Sequence, residues 1–204
     1  MFTLASVSYA PPIPTLLPAP RIAWMPRDRA VPAQAQAAAW LAESLATETT
    51  HVAFARDTYG RPQLQPPLHA HDCNWSHSGE GLLVAVGEGV DLGVDLEWRR
   101  PRPRALALAE RFFAPPEVQW LRASPDDTRE ARFLRLWCAK EAVLKAHGQG
   151  LSFGLHRLVF GEDDGALVLH DCDVALGAAS AWTVQELVPA PGYLGALAWR
   201  RRLG

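Results

Sequence analysis

Asp95 and Glu97 are separated by a single residue, within a run where Val90, Leu92, Val94 and Leu96 alternate with Asp91, Gly93, Asp95 and Glu97. The alternation predicts a half-buried strand with both carboxylates on one face, roughly 7 Å apart along the backbone. Carboxylates so spaced can converge on one hard cation. The outward face of an edge strand is also ordinarily polar, and for this pair alone that is the commoner explanation. A second group, Lys140, Glu141 and Lys145, falls on a long helix predicted over Thr128–His147. On a wheel of about 100° per residue, Phe133, Trp137 and Leu144 form a narrow apolar stripe. Lys140 falls inside that stripe, and Glu141 and Lys145 flank it near Leu134, while the opposite side holds only Ala139, Ala142 and Arg135. Charge on a side due for burial needs partners. The plainer alternative is a Glu141–Lys145 surface pair at i,i+4, with Lys140 reaching out to water.

Together the two groups define a chemistry. Asp95, Glu97 and Glu141 offer all-oxygen ligation suited to Mg²⁺, with Mn²⁺ as the substitute, and Lys140 and Lys145 are point charges suited to phosphates. A metal bridging a pyrophosphate offsets charge on the leaving oxygen, and a carboxylate beside it can take a proton from an attacking hydroxyl. The implied class is phosphoryl-type transfer from a pyrophosphate. His77, between Ser76 and Ser78 in an expected turn with Gly79, adds a second anion site. A lone histidine in a turn is more often only solvated, and Arg61 after Gly60 is equally ambiguous by itself.

The elements that must position these residues are partly legible. Residues 1–32 are proline-rich and read as extended chain, with a short strand at Arg21–Trp24. Gln34–Ala46 predicts a helix, Tyr59–Pro62 a turn, and the segment onward to His71 a loop. Asn74–Gly79 reads as the end of a short strand and a turn. Leu82–Val86 and Val90–Glu97 read as a hairpin about Gly87–Gly89. Helices follow at Arg104–Phe113 and Glu117–Arg122, then the long helix, capped within Ser124–Asp127 and stopped by Gly148. Strands are expected at Leu155–Phe160, Ala166–Leu169, Trp182–Val188 and Tyr193–Trp199, the last two around a turn at Pro189–Gly192.

Composition narrows the partners. The chain has 204 residues, 49% hydrophobic and 21% charged, enough for a sizeable core in one ordinary domain or two small ones. A formal net charge of −2 leaves no global basic field for nucleic acid or anionic lipid, and Arg200–Arg202 reads as a solvated basic tail. Cys73, Cys138 and Cys172 are odd in number and widely spaced, which suits reduced thiols. The best apolar run, Leu82–Val86, is strand-sized, and the N-terminus lacks a basic lead. The expectation is a cytoplasmic protein without membrane spans.

The order Gly60-Arg61-Pro62, Asn74-Trp75-Ser76-His77-Ser78, Gly93-Val94-Asp95-Leu96-Glu97 and Trp137-Cys138-Ala139-Lys140-Glu141-Ala142-Val143-Leu144-Lys145 resembles the 4′-phosphopantetheinyl transferases, closest to the Sfp-like, surfactin-synthetase-activating type. Arg111-Phe112-Phe113 with Glu117, Gly150-Leu151-Ser152 and Pro191-Gly192-Tyr193 extend it across Tyr59–Trp199. The resemblance implies an α+β protein of two similar α/β halves in pseudo-twofold relation, 1–95 and 96–204, with coenzyme A between them. It implies Asp95, Glu97 and Glu141 as metal ligands, Glu141 also as general base, and Lys145 and Lys140 on the phosphates. His77 matches a ligand of the coenzyme's 3′-phosphate, with Ser76 beside it and Arg61 on the nucleotide. Glu117 matches a carboxylate near the metal. The basic candidates of the N-terminal third are Arg21, Arg27 and Arg29. The implied reaction moves phosphopantetheine from coenzyme A to a serine of an apo acyl, aryl or peptidyl carrier protein, releasing 3′,5′-ADP. Two halves in one chain suggest a monomer. A Mg²⁺-dependent nucleotide pyrophosphatase and an inactive carrier-binding scaffold are the competing readings.

Overall fold

The computed structural model describes residues 19–202. Most of the proline-rich arm therefore lies outside the described residues. Strand β1 (Arg21–Pro26) leads to helix α1 (Ala33–Ser44), and a short hairpin follows, β2 (Phe54–Arg56) with β3 (Pro62–Leu64). A long hairpin of β4 (His71–Ser78) and β5 (Gly81–Glu88) closes the first half. The second half runs β6 (Val90–Trp98), α2 (Ala105–Phe112), α3 (Pro115–Ala123) and α4 (Asp126–His147), then β7 (Leu158–Asp163), β8 (Ala166–Cys172), β9 (Thr183–Leu187) and β10 (Tyr193–Arg201).

The two halves repeat one connectivity. In the first, the opening strand pairs with the last and the order is β1-β5-β4; in the second it is β6-β10-β9. Each half also carries a principal helix and a separate two-stranded hairpin, β2-β3 or β7-β8, between its opening strand and its closing hairpin. This is an α+β architecture of two similar halves. Residues 95 and 96 both lie inside β6, whereas the repeat of connectivity begins with that strand at Val90.

Side-chain alternation explains the layering. On β5, Leu82, Val84 and Val86 pack with Ala37 and Leu41 of α1. Leu83 and Ala85 turn the other way, against Val90, Leu92, Val94 and Leu96 of β6 and Leu197 of β10. The opposite face of the second sheet gives Ala196 and Ala198 to the core around α4. The order of layers is thus helix, sheet, sheet, helix, with α2, α3 and the β7–β8 hairpin packed on the remaining sides of α4. Helix α4 is buried continuously from Cys138 to Leu144, so it is a central helix and not the one-sided element its wheel predicts. Asp126 and Asp127 in its first turn and Lys145 and His147 in its last complement its dipole, and Gly148 ends it at φ +92°.

Three expectations are corrected. The Val90–Glu97 strand does not form a hairpin with β5, because β5 already has β1 and β4 on its two edges and β6 pairs with β10. The segment from Pro62 to His71 contains β3, and its partner β2 is too short for its pattern to show. The strand expected to end within Asn74–Gly79 runs on through Ser78 as an eight-residue element, paired with β5 from His71↔Glu88 to Ser78↔Gly81, and the turn is confined to Gly79 and Glu80.

Candidate functional site

The site is built where β4 meets β6 without a backbone ladder. Side chains at every second position of β4 take the place of rungs. Asp72 Oδ2 accepts from the Leu92 amide at 2.7 Å, and Asn74 Oδ1 from the Val94 amide at 3.0 Å. Ser78 Oγ accepts from the Trp98 amide, also at 3.0 Å. The numbers rise together along both strands, so these strands run side by side in the same direction. Ser76, the remaining member of the series, is diverted: its Oγ donates to Asp95 Oδ1 at 3.0 Å. Polar β4 residues that suggested a turn are therefore the seam between the halves.

Asp95 and Glu97 each receive a serine and a cation. Asp95 Oδ1 takes Ser76 and the Lys145 ammonium, the latter at 2.6 Å, and Lys145 also donates to Ser76 Oγ at 3.0 Å. Glu97 Oε2 takes Ser78 Oγ at 3.3 Å and Arg102 Nη2 at 2.5 Å. Lys145 reaches Asp95 because α4 lies unusually close to β6. A Cβ at Gly93 would collide with the Ala142 carbonyl oxygen and the Ala146 nitrogen, so the glycine between the alternating residues is required by packing.

Glu141, one turn before Lys145, shares the same field. Burial pushes its carboxyl up to about 7, the charges of Asp95 and Glu97 push in the same direction, and Lys145 opposes them. Glu97 is also raised, chiefly by burial, against the pull of Arg102. Three carboxylates thus face two cations, leaving an excess of negative charge in a largely dry cleft. Among the described residues no three His, Cys, Asp or Glu side chains are drawn together as a ligand set. Asp95 Oδ2 nonetheless is buried with no hydrogen-bond partner. A buried oxygen of that kind, beside two further carboxylates that repel it, suits a hard divalent cation.

The other expected residues divide. Lys140 is not in the cleft. It is fully buried, paired with Glu117 at 2.7 Å, and donates to the carbonyls of Leu155 and Leu158 at 2.9 and 2.5 Å. The rings of Phe113 and Phe160 lie 5.0 and 5.9 Å from its nitrogen. Burial lowers its ammonium to about 8 although Glu117 supports the charge. An ammonium so enclosed has no free donor for a phosphate, and Glu117 is spent on it and on the amides of Ala114 and Phe160. Ser76 belongs to the carboxylates by the bonds above. Arg61 clasps the seam: it pairs with Asp72 at 2.5 Å and donates to the carbonyls of Lys145 and Leu92, each at 2.9 Å. His77 projects from the opposite side of β4, exposed, with the Arg27 guanidinium 3.4 Å from Nδ1. Of the N-terminal arginines Arg27 alone stands there, since Arg29 pairs with Glu80 and Arg21 with the Ser44 carbonyl.

Arg102 and Ser78 as carboxylate partners were missed from sequence. A signal existed for the serine: Ser76 and Ser78 repeat the i,i+2 spacing of Asp95 and Glu97. None existed for Arg102, which a proline-flanked loop folds back onto Glu97.

The chain is similar to known proteins over much of its length. The model of the 4′-phosphopantetheinyl transferase superfamily matches residues 91–197, slightly over half of the chain. A 4′-phosphopantetheinyl transferase of Nostoc sp., HetI, is 35% identical over 76% of this chain and 63% of its own length. The Bacillus pumilus 4′-phosphopantetheinyl transferase psf-1 is 37% identical over 55% of this chain and 47% of its own. Sfp of Bacillus subtilis is 33% identical over 53% and 46%. The matched region thus spans about half to two thirds of these relatives.

Proposed function

Because the chain belongs to the 4′-phosphopantetheinyl transferase superfamily, we propose that it transfers the phosphopantetheine arm of coenzyme A to a serine of an apo acyl, aryl or peptidyl carrier protein. The observation that carries this reading is the Lys145–Asp95 pair between α4 and β6, with a buried Asp95 oxygen left without a partner and Glu141 raised by burial and by the charges of Asp95 and Glu97. Asp95, Glu97 and Glu141 would hold Mg²⁺ or Mn²⁺. That ion would supply positive charge to the pyrophosphate oxygens of the coenzyme. Lys145, at the mouth of the same cleft, would bind a phosphate oxygen, and its tether to Asp95 and Ser76 holds the ammonium in place. Glu141, beside the same ion, would take the proton of the carrier serine, directly or through water. The serine oxygen bonds to the β-phosphorus as the bond to the leaving phosphate of 3′,5′-ADP breaks. His77 with Arg27 suits the coenzyme's 3′-phosphate: a guanidinium beside an exposed imidazole that burial and Arg27 hold towards its neutral form, each able to donate to an oxygen. Arg61, on the other side of β4, would act on the cleft through its clasp on the Lys145 and Leu92 carbonyls.

Ser76 and Ser78 of the first half bond Asp95 and Glu97 of the second, so a single chain would supply the whole site, which favours a monomer. Among the described residues no helix is long and apolar enough to cross a membrane. The three thiols fit a cytoplasmic setting.

The test uses coenzyme A, Mg²⁺ and an apo carrier domain, with the carrier weighed by mass spectrometry. The expected result is a gain of one phosphopantetheine, lost with Asp95→Ala or on chelation. Coenzyme hydrolysis without labelling would indicate a nucleotide pyrophosphatase instead, and carrier binding with neither reaction an inactive scaffold.

A further inference from the structure

Two buried polar atoms next to Glu97 lack partners, and they are of opposite kinds. Asp95 Oδ2, two residues before it, is an acceptor without a donor. Arg102 Nε, on the guanidinium bonded to Glu97, is a donor without an acceptor. One calls for a cation and the other for an anion. A metal–phosphate ligand brings both together, and neither atom can satisfy the other's need while Arg102 is turned to Glu97.

From this pairing we infer that Arg102 is a movable counter-cation. It neutralises Glu97 until a divalent ion takes that carboxylate, and its guanidinium then binds an oxygen of the coenzyme's pyrophosphate. Glu97 carries Arg102 on Oε2 at 2.5 Å, and a divalent ion drawing on the same carboxylate weakens the charge that holds the guanidinium there. The released guanidinium keeps a planar fork of donors suited to phosphate, and its Nε gains the acceptor it lacks. The loop 99–104 gives it somewhere to go: Arg102 lies between β6 and α2, outside either element, and its side chain is 22% exposed. Ser78, bonded to the same oxygen Oε2, keeps the carboxylate in register during the exchange. The inference rests on the transferase reading of the same cleft.

The roles make opposite demands on one residue, and the experiment reads both. Mn²⁺ affinity is measured by the free-ion paramagnetic resonance signal without coenzyme, and coenzyme A affinity by calorimetry in saturating Mg²⁺. Arg102→Ala removes a competing positive charge, so Mn²⁺ should bind about fivefold tighter. It also removes a phosphate donor, so coenzyme A should bind about tenfold more weakly. Arg102→Gln should follow alanine for the metal, and Arg102→Lys should hold metal affinity near the parent while recovering part of the coenzyme affinity. Unchanged or weakened Mn²⁺ binding in both neutral variants, or unchanged coenzyme binding, would overturn the inference. A parent protein that binds both ligands yet labels no carrier would defeat the transferase reading and leave the Arg102 result standing.

Discussion

Lys140 and Glu117 lie in the fully enclosed heart of the second half, and Lys140→Met tests what that pair does. The ammonium has Glu117 at 2.7 Å and two carbonyl acceptors, and neither side chain of the pair is exposed at all. Substitution leaves a buried carboxyl without its counter-charge and two carbonyls without a donor. Breaking such a pair from one side costs about 3–5 kcal/mol. For a protein of this size each kcal/mol moves the melting temperature by roughly 2–4 °C, so the expected fall is on the order of 6–20 °C. Adding Glu117→Gln should recover part of the loss by removing the stranded charge. Thermal unfolding by circular dichroism gives the first quantity, and calorimetric titration of coenzyme A at a temperature where the variant is folded gives the second. Coenzyme affinity should stay within twofold of the parent, a margin of about 0.4 kcal/mol. A variant that melts with the parent and loses coenzyme binding would refute the placement of Lys140 in the core and return it to the phosphates.

Further outcomes follow from the cleft and its seam. Glu141 rises from an ordinary 4.5 to about 7, so the folded protein binds the extra proton and stability falls as pH climbs through that window. Glu141→Gln should therefore stabilise the metal-free protein at pH 8, by at most on the order of 3 kcal/mol, and leave it unchanged at pH 4, as read by urea melts with chelator. Gly93→Ala should destabilise by about 1–3 kcal/mol or more, because the new methyl meets α4 backbone and not a yielding side chain. Transfer activity should fall with it, since β6 and α4 must part. Asn74→Ala should cost about 1–3 kcal/mol in denaturant unfolding by stranding the buried Val94 amide, while Asn74→Asp, which keeps the acceptor, should cost less.

The elements that carry their own punctuation were readable from sequence. Helix α4 has acidic residues at one end, basic residues at the other and a left-handed glycine stop, so its span differs from expectation by only two residues at the start. Strand β6 showed its alternation because one face meets the apolar middle layer and the other meets the site. What failed was information held elsewhere in the chain. Adjacent strands β5 and β6 look like a hairpin until β1 and β4 claim both edges of β5. Strand β4 looks like a turn because its seam-facing residues are Asp72, Asn74, Ser76 and Ser78, polar for the sake of the facing strand. Lys140 and Lys145 are alike in type and one helical turn and a fraction apart, and only the packing partners decide that one is masonry and the other faces the cleft. Glu117 is the deciding partner, twenty-three positions earlier in the chain.

A join made of side chains behaves differently from one made of peptide groups. Peptide rungs come with any sequence and break only when the sheet tears. The bonds from β4 to β6 exist because of particular residues, so one substitution can remove a link between the halves without breaking a rung of either sheet. The register of β4 against β6, and with it the placement of Ser76 on Asp95, is then an inherited trait of Asp72 and Asn74.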